Sequence, residues 1–252
     1  MLEKSDYIYG IRAVIEAVES GKEIDKVFVN RDLHGDLARE LMGTLKSNGI
    51  LVQKVPSEKL DRITRRNHQG VIAILSAITY DSLANVVPTI YEDGRMPFIV
   101  LLDGVTDVRN FGAIARTCEC AGANAIVIPR RGGVGVNADA MKTSAGALNY
   151  LPVCRENSIL NAVKFLKDNG FQVFAASEKS NLNYTCADYA SVPVAIVMGA
   201  EDVGISEDVL RFCDTKVAIP QLGRIGSLNV SVAAGVLIYE VVRQRMIQEN
   251  DA

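Results

Sequence analysis

The sequence predicts an α/β protein in two parts, a small α/β region over residues 1–78 and a larger one over 97–252 with a mostly parallel sheet. Three observations carry this. Residues 98–102, Phe98-Ile99-Val100-Leu101-Leu102, are a continuous apolar run, as a strand buried on both faces requires. Such runs then alternate with segments of helical spacing, the pattern of repeated β–α units. Finally, residues 216–247 read as a short strand stopped by Pro220, a loop carrying Gly223 and Gly226, and an apolar helix from 230. A strand, a glycine loop and a helix start turn free backbone N–H groups toward a ligand, at the strand ends where open α/β sheets bind.

In the first region, apolar spacing predicts a helix over 11–18 and a strand over 24–29. A helix follows over 37–47 with Leu37, Leu41 and Leu45 on one stripe, then a strand over 50–55 and a short helix over 57–63. The last strand is 71–75. Residues 79–96, mixed in character and holding Pro88, read as a linker. In the second region, strands are expected at 98–102, 125–128, 172–175, 194–198 and 216–219, and helices at 111–121, 137–148, 159–169, 206–212 and 230–247.

Composition sets the outer bounds. The chain has 252 residues, 48% hydrophobic and 23% charged, as globular proteins do. No apolar run reaches the roughly 18 residues that span a bilayer. Residues 1–9 are polar and charged, unlike a secretory leader, so a cytoplasmic location is expected. Among five scattered cysteines, Cys118 and Cys120 lack a second pair or a nearby histidine. Buried thiols and no metal are therefore expected. A net charge of −3 announces no nucleic-acid partner, so any RNA contact must come from a local patch.

Four polar stretches are candidates for chemistry. The first is 103–117, where Asn110 and Arg116 follow a buried strand and open a helix. A guanidinium among Ala113, Ile114 and Ala115 needs an anionic or carbonyl partner, which Asp103, Asp107, Glu119 or a ligand could supply. In the second, 197–206, Gly199 and Gly204 bracket Glu201 and Asp202, and a carboxylate there could pair with Arg116 or hold a ligand hydroxyl. It contains no phosphate-binding Gly-Lys-Ser/Thr sequence. The third, 219–231, places the helix-capping types Ser227 and Asn229 at a loop–helix junction. The fourth is basic: Arg62, Arg65 and Arg66 with Asn67, His68 and Gln69 could meet phosphates, bases or ribose, or be a solvated loop. Arg12, and Arg130 with Arg131 before a glycine run, are further basic positions open to the same two readings. The 130–135 stretch lacks the spacing of a dinucleotide site.

Taken together the junctions resemble the SpoU (TrmH-type) branch of the SPOUT RNA methyltransferases. Asn110-Phe111-Gly112-Ala113-Ile114-Ala115-Arg116 matches that family's first motif, Gly199-Ala200-Glu201-Asp202-Val203-Gly204 its second, and Ile219 through Ser231 its third. The N-terminal part, with Tyr9-Gly10-Ile11-Arg12 and Asn67-His68-Gln69-Gly70-Val71, resembles the ribosomal-protein-L30e-like substrate-binding domain. That domain precedes the catalytic one in the bacterial enzymes (the RlmB group) that methylate a guanosine ribose of 23S ribosomal RNA. The chain departs from many relatives at Val108, Gly226 and Arg12, none a catalytic position in the family pattern.

The resemblance implies a C-terminal trefoil knot, which ordinary connection rules would not yield. It also implies a homodimer and S-adenosylmethionine bound against Met198, Gly199, Ala200, Gly204, Ile219, Leu228 and Asn229. The implied catalytic set is Asn110, Arg116, Glu201, Ser227 and Asn229, with Glu201 paired to Arg116 or fixing the site. Arg12, Arg65, Arg66, Asn67, His68, Arg130 and Arg131 would meet RNA. The activity implied is methylation of a ribose 2′-hydroxyl of ribosomal RNA. Alternatives are a tRNA ribose methyltransferase of the same family and a non-catalytic RNA-binding module.

Overall fold

The computed structural model describes residues 6–251; residues 1–5 of the expected first region lie outside them. The chain forms two compact units. One runs to Thr79 and takes in Gly135–Ala138; the other holds Tyr80–Val134 and the chain from Asp139 onward.

The first unit is a mixed four-stranded sheet, β1 (Tyr7–Tyr9), β4 (Val71–Leu75), β2 (Ile24–Asn30) and β3 (Val52–Val55), in that spatial order. Only β2 and β3 pair in parallel. Helices α1 (Ile11–Glu19) and α2 (Asp36–Ser47) share one core, in which Val14, Val18, Leu41 and Leu45 meet Val27 and Ala73 of the sheet. Leu37, expected on the buried stripe of α2, is exposed, and Ala38 takes the inward position. Helix α3 (Ser57–Ile63) covers the other face through Leu60, packed with Phe28, Ile72 and Ile74. Burying one such side chain contributes about 1.5–3 kcal/mol.

The second unit is built on a six-stranded sheet in the order β10-β8-β9-β5-β6-β7. These strands are β5 (Phe98–Asp103), β6 (Ala125–Pro129), β7 (Val153–Glu156), β8 (Gln172–Ala176), β9 (Val194–Gly199) and β10 (Thr215–Val217). Every neighbouring pair is parallel. Both faces are covered, which explains the continuous apolar strands. On one face Ile99, Leu101, Val127 and Val197 pack with α4 (Leu83–Glu92), α7 (Ile159–Asp168) and α8 (Glu207–Phe212). Helix α5 (Val108–Cys120) contributes buried Phe111 and Ile114, and α9 (Val230–Asp251) buried Leu237 and Val241. Helix α6 (Ala138–Thr143) is short and gives way to a separate 3₁₀ turn, Ala147–Asn149, where one continuous helix was expected. The break falls at Ala145 and Gly146, both at positive φ.

Two further expectations are overturned. The stretch read as a linker, 79–96, holds α4, whose Leu83, Val86, Val87 and Ile90 are buried in the second unit's core. Of the five thiols, Cys118 and Cys154 are buried and Cys213 half-buried, whereas Cys120 and Cys186 are exposed. Burial pushes the Cys213 thiol up to about 12, out of the reactive range.

The strand order places the site. From β5 the chain winds outward through β6 and β7, then returns to the far side for β8, β9 and β10. The reversal lies between β5 and β9, whose last residues, Asp103 and Gly199, stand opposite one another. A crevice at that point, beyond the strand ends, is where an open parallel sheet takes its ligand.

Candidate active site

Three chain segments meet beyond the ends of β5 and β9. Asp107 caps α5, its Oδ1 accepting from the N–H groups of Arg109 at 2.9 Å and Asn110 at 2.8 Å. Asn110 therefore lies in the first turn of α5 rather than in the loop before it. Glu201 stands in the loop after β9, and Asn229 directly precedes α9. Their side chains join. Glu201 Oε1 accepts from Asn110 Nδ2 at 3.2 Å, Asn229 Nδ2 at 2.5 Å and the Val230 N–H at 3.2 Å. Asn229 Nδ2 also donates to Asn110 Oδ1 at 3.0 Å. The remaining Asn229 oxygen caps α9, accepting from the Ser231 N–H at 3.0 Å and the Val232 N–H at 3.4 Å. One carboxylate thus ties together the starts of two helices.

Beside this hub is a cavity of about 390 Å³, of the size that holds a small-molecule ligand. Its wall includes Met198 and Gly199 at the end of β9 and Ala200 to Gly204 beyond it, Val217 and Ile219 around the end of β10, Gly226 to Leu228, and Val230, Ala233 and Leu237 of α9. All the residues proposed from sequence to contact a cofactor line it except Asn229, which is engaged in the hub. Sequence reasoning missed Ser177, Glu178 and Lys179 on its rim. They follow β8, and the strand-end rule applied to that strand would have found them. A smaller cavity, about 250 Å³, lies between Thr106, Asp107, Asn110, Glu201 and Asp202. It shares Ala200, Glu201, Asp202 and Val230 with the larger one.

The loop carrying Glu201 is closed on itself. Ala200 and Gly204 exchange backbone hydrogen bonds of 3.2 and 2.9 Å. A Cβ on Gly199 would sit 2.2 Å from the Gly204 carbonyl carbon, so only glycine fits that position.

The structure corrects the expected partners of Arg116. Its side chain is exposed, not embedded among apolar neighbours, and no hydrogen bond or ion pair engages it among the described residues. Asp107 is used in capping α5, Asp103 accepts from the Ser206 N–H at 2.8 Å, and Glu201 is held by the asparagines. Ser227 is exposed on the cavity wall and caps nothing; Asn229 is the cap.

In the first unit, Arg12, Arg65, Arg66 and Asn67 are exposed, Arg66 donating to the Tyr9 hydroxyl at 3.2 Å. His68 is not presented to a ligand. It is buried, its Nδ1 accepts from the Gly70 N–H at 3.0 Å, and its Nε2 lies 3.0 Å from Asp61. An acceptor Nδ1 leaves the ring proton on Nε2, directed at Asp61. The ring braces the loop, in which Gln69 takes the left-handed φ of 52°. In the second unit Arg131 is exposed and Arg130 half-buried. No group of three or more metal-ligating side chains occurs among the described residues, and none of their helices is long and apolar enough to cross a membrane.

A doubly wound parallel sheet with a polar hub at its switch point, preceded by a small mixed α/β unit, defines the class, and similarity to known proteins gives the family. Residues 97–239 match the SpoU rRNA Methylase family, and residues 7–81 match the family described as RNA 2′-O ribose methyltransferase substrate binding. The chain belongs to the SpoU/TrmH family of RNA methyltransferases, of SPOUT fold. It is 34% identical over 245 residues to YacO of Bacillus subtilis (strain 168), named for the TrmH family of tRNA/rRNA methyltransferases, covering 97% of this chain and 98% of that one. Among solved structures it resembles the AdoMet-bound rRNA methyltransferase of Sinorhizobium meliloti, with a TM-score of 0.60 and 27% identity over 94% of this chain and 87% of that one. It also resembles the SpoU methyltransferase AviRb of Streptomyces viridochromogenes in complex with AdoMet, with a TM-score of 0.60 and 25% identity over 96% and 90% of the two chains.

Proposed function

We propose that this protein transfers a methyl group from S-adenosylmethionine to a ribose 2′-hydroxyl of RNA, a guanosine of 23S rRNA in the large ribosomal subunit. The observation that carries the reading is the Glu201 hub, which locks Asn110 and Asn229 at one edge of a ligand-sized cavity. The cavity suits the cofactor's chemistry. Glu178, Glu201 and Asp202 outnumber the one lysine on its wall, Lys179, as a positively charged ligand requires, and Ile219 and Leu228 offer apolar contact. The cofactor supplies an electrophilic methyl group.

The chain's own residues position the nucleophile. In-line attack by a weak hydroxyl depends above all on geometry, and Asn110 and Asn229 are fixed by three donors converging on one Glu201 oxygen. Arg116, exposed and unengaged among the described residues, orients the target nucleotide and stabilises the developing alkoxide. A guanidinium cannot take up a proton, so the one that the 2′-hydroxyl loses as the methyl leaves the sulfonium passes to a phosphate of the RNA substrate, assisted by Arg116. Ser227, on the cavity wall, hydrogen-bonds near the hydroxyl. The exposed Arg12, Arg65, Arg66, Asn67 and Arg131, with Arg130, contact RNA. The reading extends to a knotted C-terminal segment and to a homodimer in the cytoplasm. Leu222 and Ile225, 98% and 76% exposed, offer apolar surface for a second copy to cover.

The test is transfer from labelled S-adenosylmethionine to large-subunit rRNA, wild type beside Arg116→Ala. Label should appear in a 2′-O-methyl nucleotide and fall about 10²–10³-fold in the variant. Label in tRNA alone would move the substrate and keep the chemistry. Failure of the wild type to bind S-adenosylmethionine would overturn the reading.

A further inference from the structure

We infer that Asp103 is a positioning residue, holding the 199–206 loop and so the cofactor-facing backbone and Glu201 in their binding shape. The inference rests on the functional reading above. Asp103 ends β5 opposite Gly199 of β9, at the switch point of the sheet. Its Oδ2 accepts from the Ser206 N–H at 2.8 Å. The loop between those points is a closed ring, pinched by the paired hydrogen bonds of Ala200 and Gly204 and by the close approach that excludes a Cβ at Gly199. Such a ring shifts as a body about its two ends. One end is held by the β5–β9 ladder, the other by Asp103.

Gly104, at φ 77°, turns the chain out of β5 so that its backbone packs beside Ala200, a second point of support from the same strand end. Asp103 lines neither cavity, so its influence passes through the ring. Releasing Ser206 would let the ring swing. The movement would be felt where Glu201 receives Asn110, Asn229 and Val230.

The experiment measures S-adenosylmethionine affinity by equilibrium binding, with thermal melting alongside, on the full chain and its variants. Asp103→Ala should weaken binding by about tenfold, the scale of one charge-assisted hydrogen bond at a partly exposed site. Asp103→Asn keeps an acceptor oxygen and should stay within about threefold of wild type. Ser206→Pro removes the same bond from its donor side, and the Ser206 φ of −60° suits proline's ring. It should match Asp103→Ala, and the double variant should be no worse than either, because both delete one interaction. Wild-type affinity in Asp103→Ala, a lowered melting temperature with unchanged affinity, or additive losses in the double variant would each overturn the inference. A wild type that binds no S-adenosylmethionine overturns the functional reading, and this inference with it.

Discussion

A single oxygen carries most of the order in the candidate site. Glu201 Oε1 receives two side-chain amides and one backbone N–H, from Asn110 on one side in sequence and from the adjacent Asn229 and Val230 on the other. Replacing Glu201 with alanine removes the acceptor of three donors, of which the two side-chain amides can turn to water. The expected stability loss is therefore modest, about 1–2 kcal/mol, or a few degrees in melting temperature. Transfer activity should fall far more, since the asparagines lose their register. Glu201→Gln should lie between, because a neutral acceptor makes hydrogen bonds of roughly half the strength. Melting and methyl-transfer assays on the same preparations separate the two effects, and a parallel decline in both would contradict the hub's assigned role. In sequence, Glu201 was a carboxylate that could pair with Arg116 or hold a ligand hydroxyl, and only the fold shows that Asn110 and Asn229 reach it. His68 makes the converse case: a polar loop in sequence hid a ring with both nitrogens occupied.

Helices and strands differ in how plainly the sequence shows them, and the reason is packing. Strand β5 was legible because both its faces are buried. Helix α4 was not, since Pro88 cannot donate to the preceding turn and its surroundings are mixed. It forms because four apolar side chains are buried, Ser82 Oγ accepts from the Asn85 N–H at 3.3 Å, and Glu156 accepts from the Leu83 N–H at 2.8 Å. Strand β7, four residues with a charged half, was equally hidden, its pairing with β6 supplied by tertiary structure. Helix α9 was read correctly as a long helix, but its fastening was not foreseen. Arg245 donates to the carbonyls of Met96 at 2.9 Å and Pro97 at 2.8 Å, where the chain enters β5. Gln244 accepts from the Tyr189 N–H at 2.9 Å and donates to Ala187 O at 2.9 Å. Arg245→Ala should cost about 2–3 kcal/mol, because charged-group hydrogen bonds disappear together with the stacking on Phe98. Arg245→Lys should restore little, since one ammonium lacks the guanidinium fork. Chemical denaturation measures both. S-adenosylmethionine affinity below the transition should stay at the wild-type value, because Arg245 does not line the cavity.

Across the whole molecule, the two units divide the work proposed for them. The second holds the hub and the ligand-sized cavity. The first holds an exposed arginine pair on a loop whose shape is set from within, by His68 on Asp61 and Gly70 and by Gln69 Oε1 accepting from the Ile11 N–H at 3.2 Å. A chain of net charge −3 has no general attraction for a polyanion, so affinity for RNA must rest on such local patches. Substituting Arg65 and Arg66 together by glutamine removes two cations without disturbing the buried brace. RNA affinity should fall, and the slope of its logarithm against the logarithm of salt concentration should flatten by about 1.4, near 0.7 for each phosphate of a single strand that is no longer neutralised. S-adenosylmethionine binding should not change, because both arginines belong to the other unit. Filter binding over a salt series reads the slope directly. An unaltered slope would remove this loop from the RNA interface and shift attention to Arg12, Arg130 and Arg131. A loss of cofactor affinity in the same variant would instead show that the units do not act separately.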